Sequence, residues 1–226
     1  MCFTIKSVSD TMQFILSGPF HTGMNFMGML GKKCRGSGYQ EILLEAGLVT
    51  SGSINSVMSG RAYNKALFCL KSVTEALERL LFEVFVEQRG DELQDSAVIT
   101  SLFVSPDRDQ LMMAIHDPVV TELIKDYMQF EDKVRQGLLG KTAVFWISVI
   151  DQAHLLFMLQ HAVKINDFDL FHYCNGKMAD LFFAFDGQNY ARYVIFFIYH
   201  LKSNFIEHQS KQFPFDKINS SSLSKL

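Results

Sequence analysis

Between residues 63 and 84 apolar side chains recur in alternating steps of three and four: Tyr63, Ala66, Leu70, Val73, Leu77, Leu80 and Val84. Only an α-helix gathers such a set onto one face. Leu67, Leu81 and Phe85 widen the stripe, so it faces a core and not a single narrow coiled-coil seam. Glu75 and Arg79, four apart, support the same helix, and the polar run Gln88 to Asp95, with Gly90, ends it.

The rest of the chain repeats that pattern with different punctuation. Met12 to Leu16 is short, apolar and followed by Ser17-Gly18-Pro19, which predicts a buried strand ending in a breaker. Phe20, Met24, Phe26, Met27 and Leu30 then return at helical spacing, with Gly36 and Gly38 closing the segment. Tyr39 to Ala46 predicts a short helix, and Thr50 to Ser56, rich in Gly and Ser, a loop. Ser105-Pro106 and Asp117-Pro118 each place a capping side chain before a proline at the first helical position. Gly137 and Gly140 precede an apolar helix from about 141 to 164. Asn166-Asp167 caps another helix over about 168–185, and a last one follows the Asp186-Gly187 turn over about 188–206. The expected architecture is mainly α, a multi-helix domain with one short N-terminal strand. It covers residues 1–208 as a single helical domain, with a more polar insertion at about 91–140 and a frayed tail at 209–226.

Composition bounds the function. Of 226 residues, 48% are hydrophobic and 20% charged, which excludes a disordered chain. The net charge of −3 gives no chain-wide electrostatic footprint for nucleic acid. Lys32, Lys33 and Arg35 form the one compact basic cluster, readable as a solvated helix end or as a phosphate contact. Cys2, Cys34, Cys69 and Cys174 fit neither a zinc motif nor a disulfide scaffold and read as free thiols in a reducing compartment. The first twenty residues lack a basic region followed by an apolar one, so an intracellular protein is expected. Ala143 to Val163 is long enough to span a bilayer, yet it contains Asp151, Gln152, His154, Gln160 and His161. One central Asp alone costs roughly 2.5–3.5 kcal/mol on insertion. A buried helix, with no membrane partner, is the expectation.

Several polar groups stand where chemistry could be carried. His21 sits at the strand-to-helix turn, a place where α/β folds put sites. Asp151, His154 and His161 share nearly one side of the apolar helix and could hold a metal or act as a base with its orienting group; a satisfied buried pair is the plainer reading. Asp186 to Tyr193 is the densest polar run, where an Asp186–Arg192 ion pair with Asn189 capping the last helix is expected. No Walker, Rossmann or nucleophile-elbow motif is present.

The order of several short motifs adds a resemblance. Gly18-Pro19-Phe20-His21-Thr22, Met24-Asn25-Phe26 and Gly31-Lys32-Lys33 resemble a GGFHT-x-MNF…IGK segment. Ser37-Gly38 with Glu41-Ile42-Leu43 resembles GSGLEEIL, and Gly60 to Ala66 resembles GK-x-YNRA. Phe145-Trp146-Ile147-Ser148 with Asp151 resembles FWMSYxD, and Phe185-Asp186 with Asn189 to Tyr193 resembles YD-x-x-NYARY. Over roughly residues 12–200 the chain thus resembles an uncharacterised family of predicted animal proteins, common in repeat-rich genomes and associated with mobile elements. That resemblance implies a remnant of a ribonuclease-H-like transposase. Such enzymes hold divalent metal on acidic residues for phosphodiester chemistry. It further implies a truncated product, inactive alone, with Asp151 or Asp186 as surviving acid, residual metal or DNA binding, and a nuclear location. Pro19 departs from the family's usual Gly. The alternative expectation is a helical scaffold that binds a protein partner, or itself, through an apolar surface. The first expectation requires His21, Asp151 and Asp186 to converge; the second requires them to scatter.

Overall fold

A computed structural model describes residues 2–6, 13–17, 19–89, 108–114 and 116–185. They are mainly helical. β1 (Cys2–Lys6) pairs antiparallel with β2 (Gln13–Ser17), from Cys2 opposite Ser17 to Lys6 opposite Gln13. Eight helices follow among the described residues: α1 (Pro19–Lys33), α2 (Tyr39–Glu45), α3 (Ile54–Met58), α4 (Tyr63–Arg89), α5 (Arg108–Ala114), α6 (Pro118–Arg135), α7 (Lys141–Ile165) and α8 (Phe168–Ala184). The expected loop at 50–56 is shorter than its composition suggests. Thr50–Ser53 forms the turn, and Ile54 opens α3 because Val57 and Met58 are buried. Ser105-Pro106, the helix expected at 188–206 and the tail lie outside the described residues.

The caps follow the expected chemistry. Asp117 accepts the backbone N–H of Val119 at 2.8 Å and that of Val120 at 3.4 Å, with Pro118 at the first helical position of α6. Asp167 accepts the Leu170 N–H at 2.9 Å. Just before it, Asn166 takes a left-handed φ of 58°, and the Asp167 N–H reaches back to the Ala162 carbonyl, closing α7 in the manner of a glycine cap.

The chain forms two compact units: Met1–Lys71 with Gln152–Leu226, and Ser72–Asp151. The second is wider than the insertion expected at 91–140. A polar arm cannot build its own core, so this unit includes the last turns of α4 and the first turns of α7. Leu81 and Phe85 of α4, Phe130 and Val134 of α6, and Ile147 of α7 are its buried cluster. Tyr127 packs edge-on against Phe85 at 5.3 Å between ring centroids, a geometry favoured by the ring quadrupoles.

The first unit is centred on Phe26, Leu43, Leu156, Leu159, Met178 and Phe182, each buried almost completely. Phe26 of α1 and Phe182 of α8 meet edge to face at 5.8 Å. Gln160 of α7 donates to the Tyr63 hydroxyl at 2.9 Å, so the polar ends of a half-buried amide and a buried phenol satisfy each other. Glycines let α1 lie against backbone. A Cβ on Gly31 would stand 1.9 Å from the Met58 carbonyl oxygen, and one on Gly60 would stand 2.2 Å from that of Met24.

Two details of burial differ from the sequence reading. In α4 the inner positions toward the C-terminus are Leu81 and Phe85, while Leu80 is 57% exposed. A strict alternation of three and four has a period of 3.5, and a real helix turns every 3.6 residues. The buried face therefore drifts by about 20° per heptad and has moved on by one position at the end of the stripe. The second difference is in α7, which is not a fully buried helix. Asp151, His154, Met158, His161 and Ile165 form an exposed strip along it. By length and composition α7 is the one helix among the described residues that could cross a membrane, and only 39% of its most apolar window is buried. The charged and imidazole groups on its outer strip agree with a helix at a protein surface.

Candidate functional site

The last turn of α1 ends in Lys32 and Lys33, cations at the negative end of the helix dipole. The chain then turns through Cys34–Gly38, held by the Cys34 N–H to the Leu30 carbonyl and the Ser37 hydroxyl to the Cys34 carbonyl, and this turn carries Arg35. Lys33 is engaged: its ammonium donates to Gln152 Oε1 at 3.0 Å and lies 6.0 Å from the centroid of the Phe185 ring. Lys32 and Arg35 are exposed and form no ion pair among the described residues.

Both cations open onto one cleft of about 520 Å³ in the first unit. Gln40 of α2 and Asn55 of α3 face it as well, beside Asn25, whose amide is already committed to the His21 carbonyl at 2.7 Å. Its apolar wall is Met29, Met58, Phe182 and Phe185. Among the described residues no carboxylate lines it. Two positive charges, two amide side chains and an aromatic wall suit an anionic ligand with a flat apolar part. Beside the cleft, burial pushes the Cys34 thiol up to about 11, despite the opposing field of Lys33.

A family model described as a domain of unknown function, DUF8702, matches residues 3–220. The chain belongs to the DUF8702 family. No curated protein and no solved structure matches it.

In this DUF8702 chain His21, Asp151, His154 and His161 are not among the residues that line the cleft. His21 lies in α1, half-buried, with its ring edge-on to Phe20 at 5.7 Å; burial lowers its pKa. Asp151 is exposed in the second unit and is gripped twice by Arg135, Nη2 to Oδ1 at 2.8 Å and Nε to Oδ2 at 3.1 Å. That paired hydrogen bonding is the largest of the effects that raise the Arg135 pKa. His154 is exposed and meets the Phe157 ring at 6.2 Å; His161 is exposed too. Asp186, Asn189 and Arg192 lie outside the described residues. Among the described residues no group of three or more His, Cys, Asp or Glu side chains is placed to hold a metal ion. Sequence reasoning found Lys32 and Arg35 as a basic cluster and missed Gln40, Asn55 and Phe185. The last three stand on α2, on α3 and at the C-cap of α8, with no shared periodicity, and become neighbours only through the fold.

Proposed function

We propose that this DUF8702 chain is a mobile-element-derived helical domain that works by binding and not by catalysis, with nucleic acid as its ligand. The observation that carries the reading is the cleft: Lys32 and Arg35 line it, and among the described residues no acid lines it with them. The lineage rests on the order of motifs from Gly18 to Tyr193, including the short N-terminal strand taken as part of a ribonuclease-H-like ancestor. A nuclear location follows from that lineage. A divalent metal belongs only to a catalytic version of the reading, in which Asp151 and Asp186 would be ligands. The double hydrogen bond from Arg135 argues against Asp151 in that role.

The test is fluorescence anisotropy with a short labelled single strand and its duplex. At about 50 mM salt the wild type binds the single strand, and the affinity falls with a log–log salt slope of about −0.7 to −1.4, one or two phosphates at ~0.7 each. The Lys32→Glu/Arg35→Glu variant loses at least about tenfold, as expected for charge-assisted bonds. Equal binding by wild type and variant refutes the reading.

A protein partner is the second reading, favoured by Ile124 and Met128. They stand one turn apart on α6 and are 44% and 59% exposed. An Ile124→Lys/Met128→Lys variant that sediments like wild type at every concentration, and binds the same proteins, removes it.

A further inference from the structure

We infer that the cleft of the first unit is a seat for a single nucleotide, with the phosphate between Lys32 and Arg35, the base against Phe185, and Gln40 and Asn55 at the base edge. The inference rests on the proposal that the chain binds nucleic acid and narrows it to one unit of the polymer.

Size points to this ligand. Small-molecule sites run from about 300 to 1,000 Å³, and a cleft of about 520 Å³ sits within that range. It is far larger than one phosphate needs. A B-DNA groove about 12 Å wide is read by a whole helix or ribbon, whereas this site is a concavity formed by one end of α1, the short helices α2 and α3, and the end of α8.

Charge points the same way. The net charge is −3, the sequence has one compact basic cluster, and among the described residues only its Lys32 and Arg35 stand on the cleft. Two cations suffice for one phosphate. They also stand on the same cleft as an aromatic ring, which is the combination that distinguishes a nucleotide from a simple anion.

The polar side chains complete the match. Gln40 and Asn55 have no side-chain hydrogen-bond partner among the described residues, so their amide donors and acceptors are open toward the cleft. Amides recognise base edges by paired donation and acceptance. Phe185 is only half-buried, and the Lys33 ammonium 6.0 Å from its ring centroid is anchored on Gln152. The ring is thus held at the end of α8 beside a fixed cation.

A free nucleotide and the terminal nucleotide of a strand share this chemistry, and the experiment separates them. The full chain is titrated calorimetrically with inorganic phosphate, ribose 5-phosphate, the four nucleoside monophosphates and a short 5′-phosphorylated single strand. At least one monophosphate is expected to bind about tenfold or more tightly than ribose 5-phosphate, because a base stacked on an aromatic ring contributes that much or more. Lys32→Glu/Arg35→Glu abolishes binding of every phosphate ligand. Gln40→Leu/Asn55→Leu, at surface positions that leave the fold intact, removes the preference for the nucleotide over ribose 5-phosphate by about tenfold and spares phosphate itself. Tighter binding of the strand than of any monophosphate assigns the terminal nucleotide; equal binding assigns the free one, and either supports the seat. Monophosphates that bind no better than ribose 5-phosphate overturn it, even if Lys32 and Arg35 still retain the strand. A chain that binds neither strand nor monophosphate overturns both this inference and the nucleic-acid reading beneath it.

Discussion

Replacing Gly31 by alanine tests the packing that forms the cleft. The new Cβ would stand 1.9 Å from the Met58 carbonyl oxygen, 2.8 Å from its carbon and 3.1 Å from its Cα. A carbon and a carbonyl oxygen in attractive contact sit about 3.3 Å apart or more. The helix or the backbone at Met58 must therefore move by roughly 1.4 Å, the difference between that contact and the built distance. The obstacle is backbone at the last turn of α3, so no side-chain rotation relieves it. The neighbours that would shift, Phe26, Met27 and Leu30, are all buried. Overpacking costs about 1–3 kcal/mol and sometimes more. Alanine returns roughly 1 kcal/mol through its better helix propensity. With a clash this deep the net loss is about 2 kcal/mol, or a fall in Tm of about 4–8 °C for a chain of this size. Thermal unfolding followed by circular dichroism reads it directly. Gly52→Ala is the control, since a Cβ there meets nothing within 4 Å. A Gly31→Ala protein as stable as wild type would refute the account of α1 lying on backbone.

Three further outcomes are expected. Burial holds Cys34 and Cys174 up to about 11 and Tyr127 up to about 12. In the unfolded chain thiols ionise near 8.5 and phenols near 10, so the folded state keeps protons that the unfolded state loses; stability is full below about pH 8.5 and declines as pH rises toward 11. Urea midpoints that stay level from neutral pH to about pH 10 would contradict this. Asp151→Asn should cost no more than about 1 kcal/mol, because its ion pair with Arg135 lies at the surface and Arg135 retains Asp132 and Glu131. A much larger loss in urea unfolding, or one independent of salt, would show that the pair is effectively buried. Asp167→Ala removes the cap of α8 and should cost about 1 kcal/mol, checked by the same unfolding curves.

Helical periodicity made most of the architecture legible, because burying one face of a helix is a local rule written along the chain. Asp117-Pro118 and Asn166-Asp167 marked helix starts for the same reason: a side-chain oxygen beside free N–H groups acts over three residues. The reading went astray where position depends on accumulated turn or on distant partners. Leu80 fell outside the core of α4 through the slow drift of the stripe, and the histidines of α7 reached the surface because only part of that helix is covered. Asp151 looked like a candidate acid in the sequence, yet its partner Arg135 stands sixteen residues away on α6, and no spacing rule links the two. The cleft was half visible. Lys32 and Arg35 announced themselves as the only compact basic cluster, while Gln40, Asn55 and Phe185 became neighbours only through the fold.

The glycines of α1 bear on how such a cleft would greet a ligand. Gly28 lines it, and a Cβ there would stand 2.9 Å from the Ser59 carbonyl oxygen; Gly31, one turn on, lies on Met58, which lines it too. Main chain touching main chain leaves little rotational freedom, since neither side has a rotamer to change. The walls that carry Lys32 and Asn55 thus stand in place before anything arrives, and the ordering cost that weakens most small sites falls only on the ends of the lysine and arginine side chains. For the same reason a substitution at either glycine, though neither would touch the ligand, would lower affinity as well as stability.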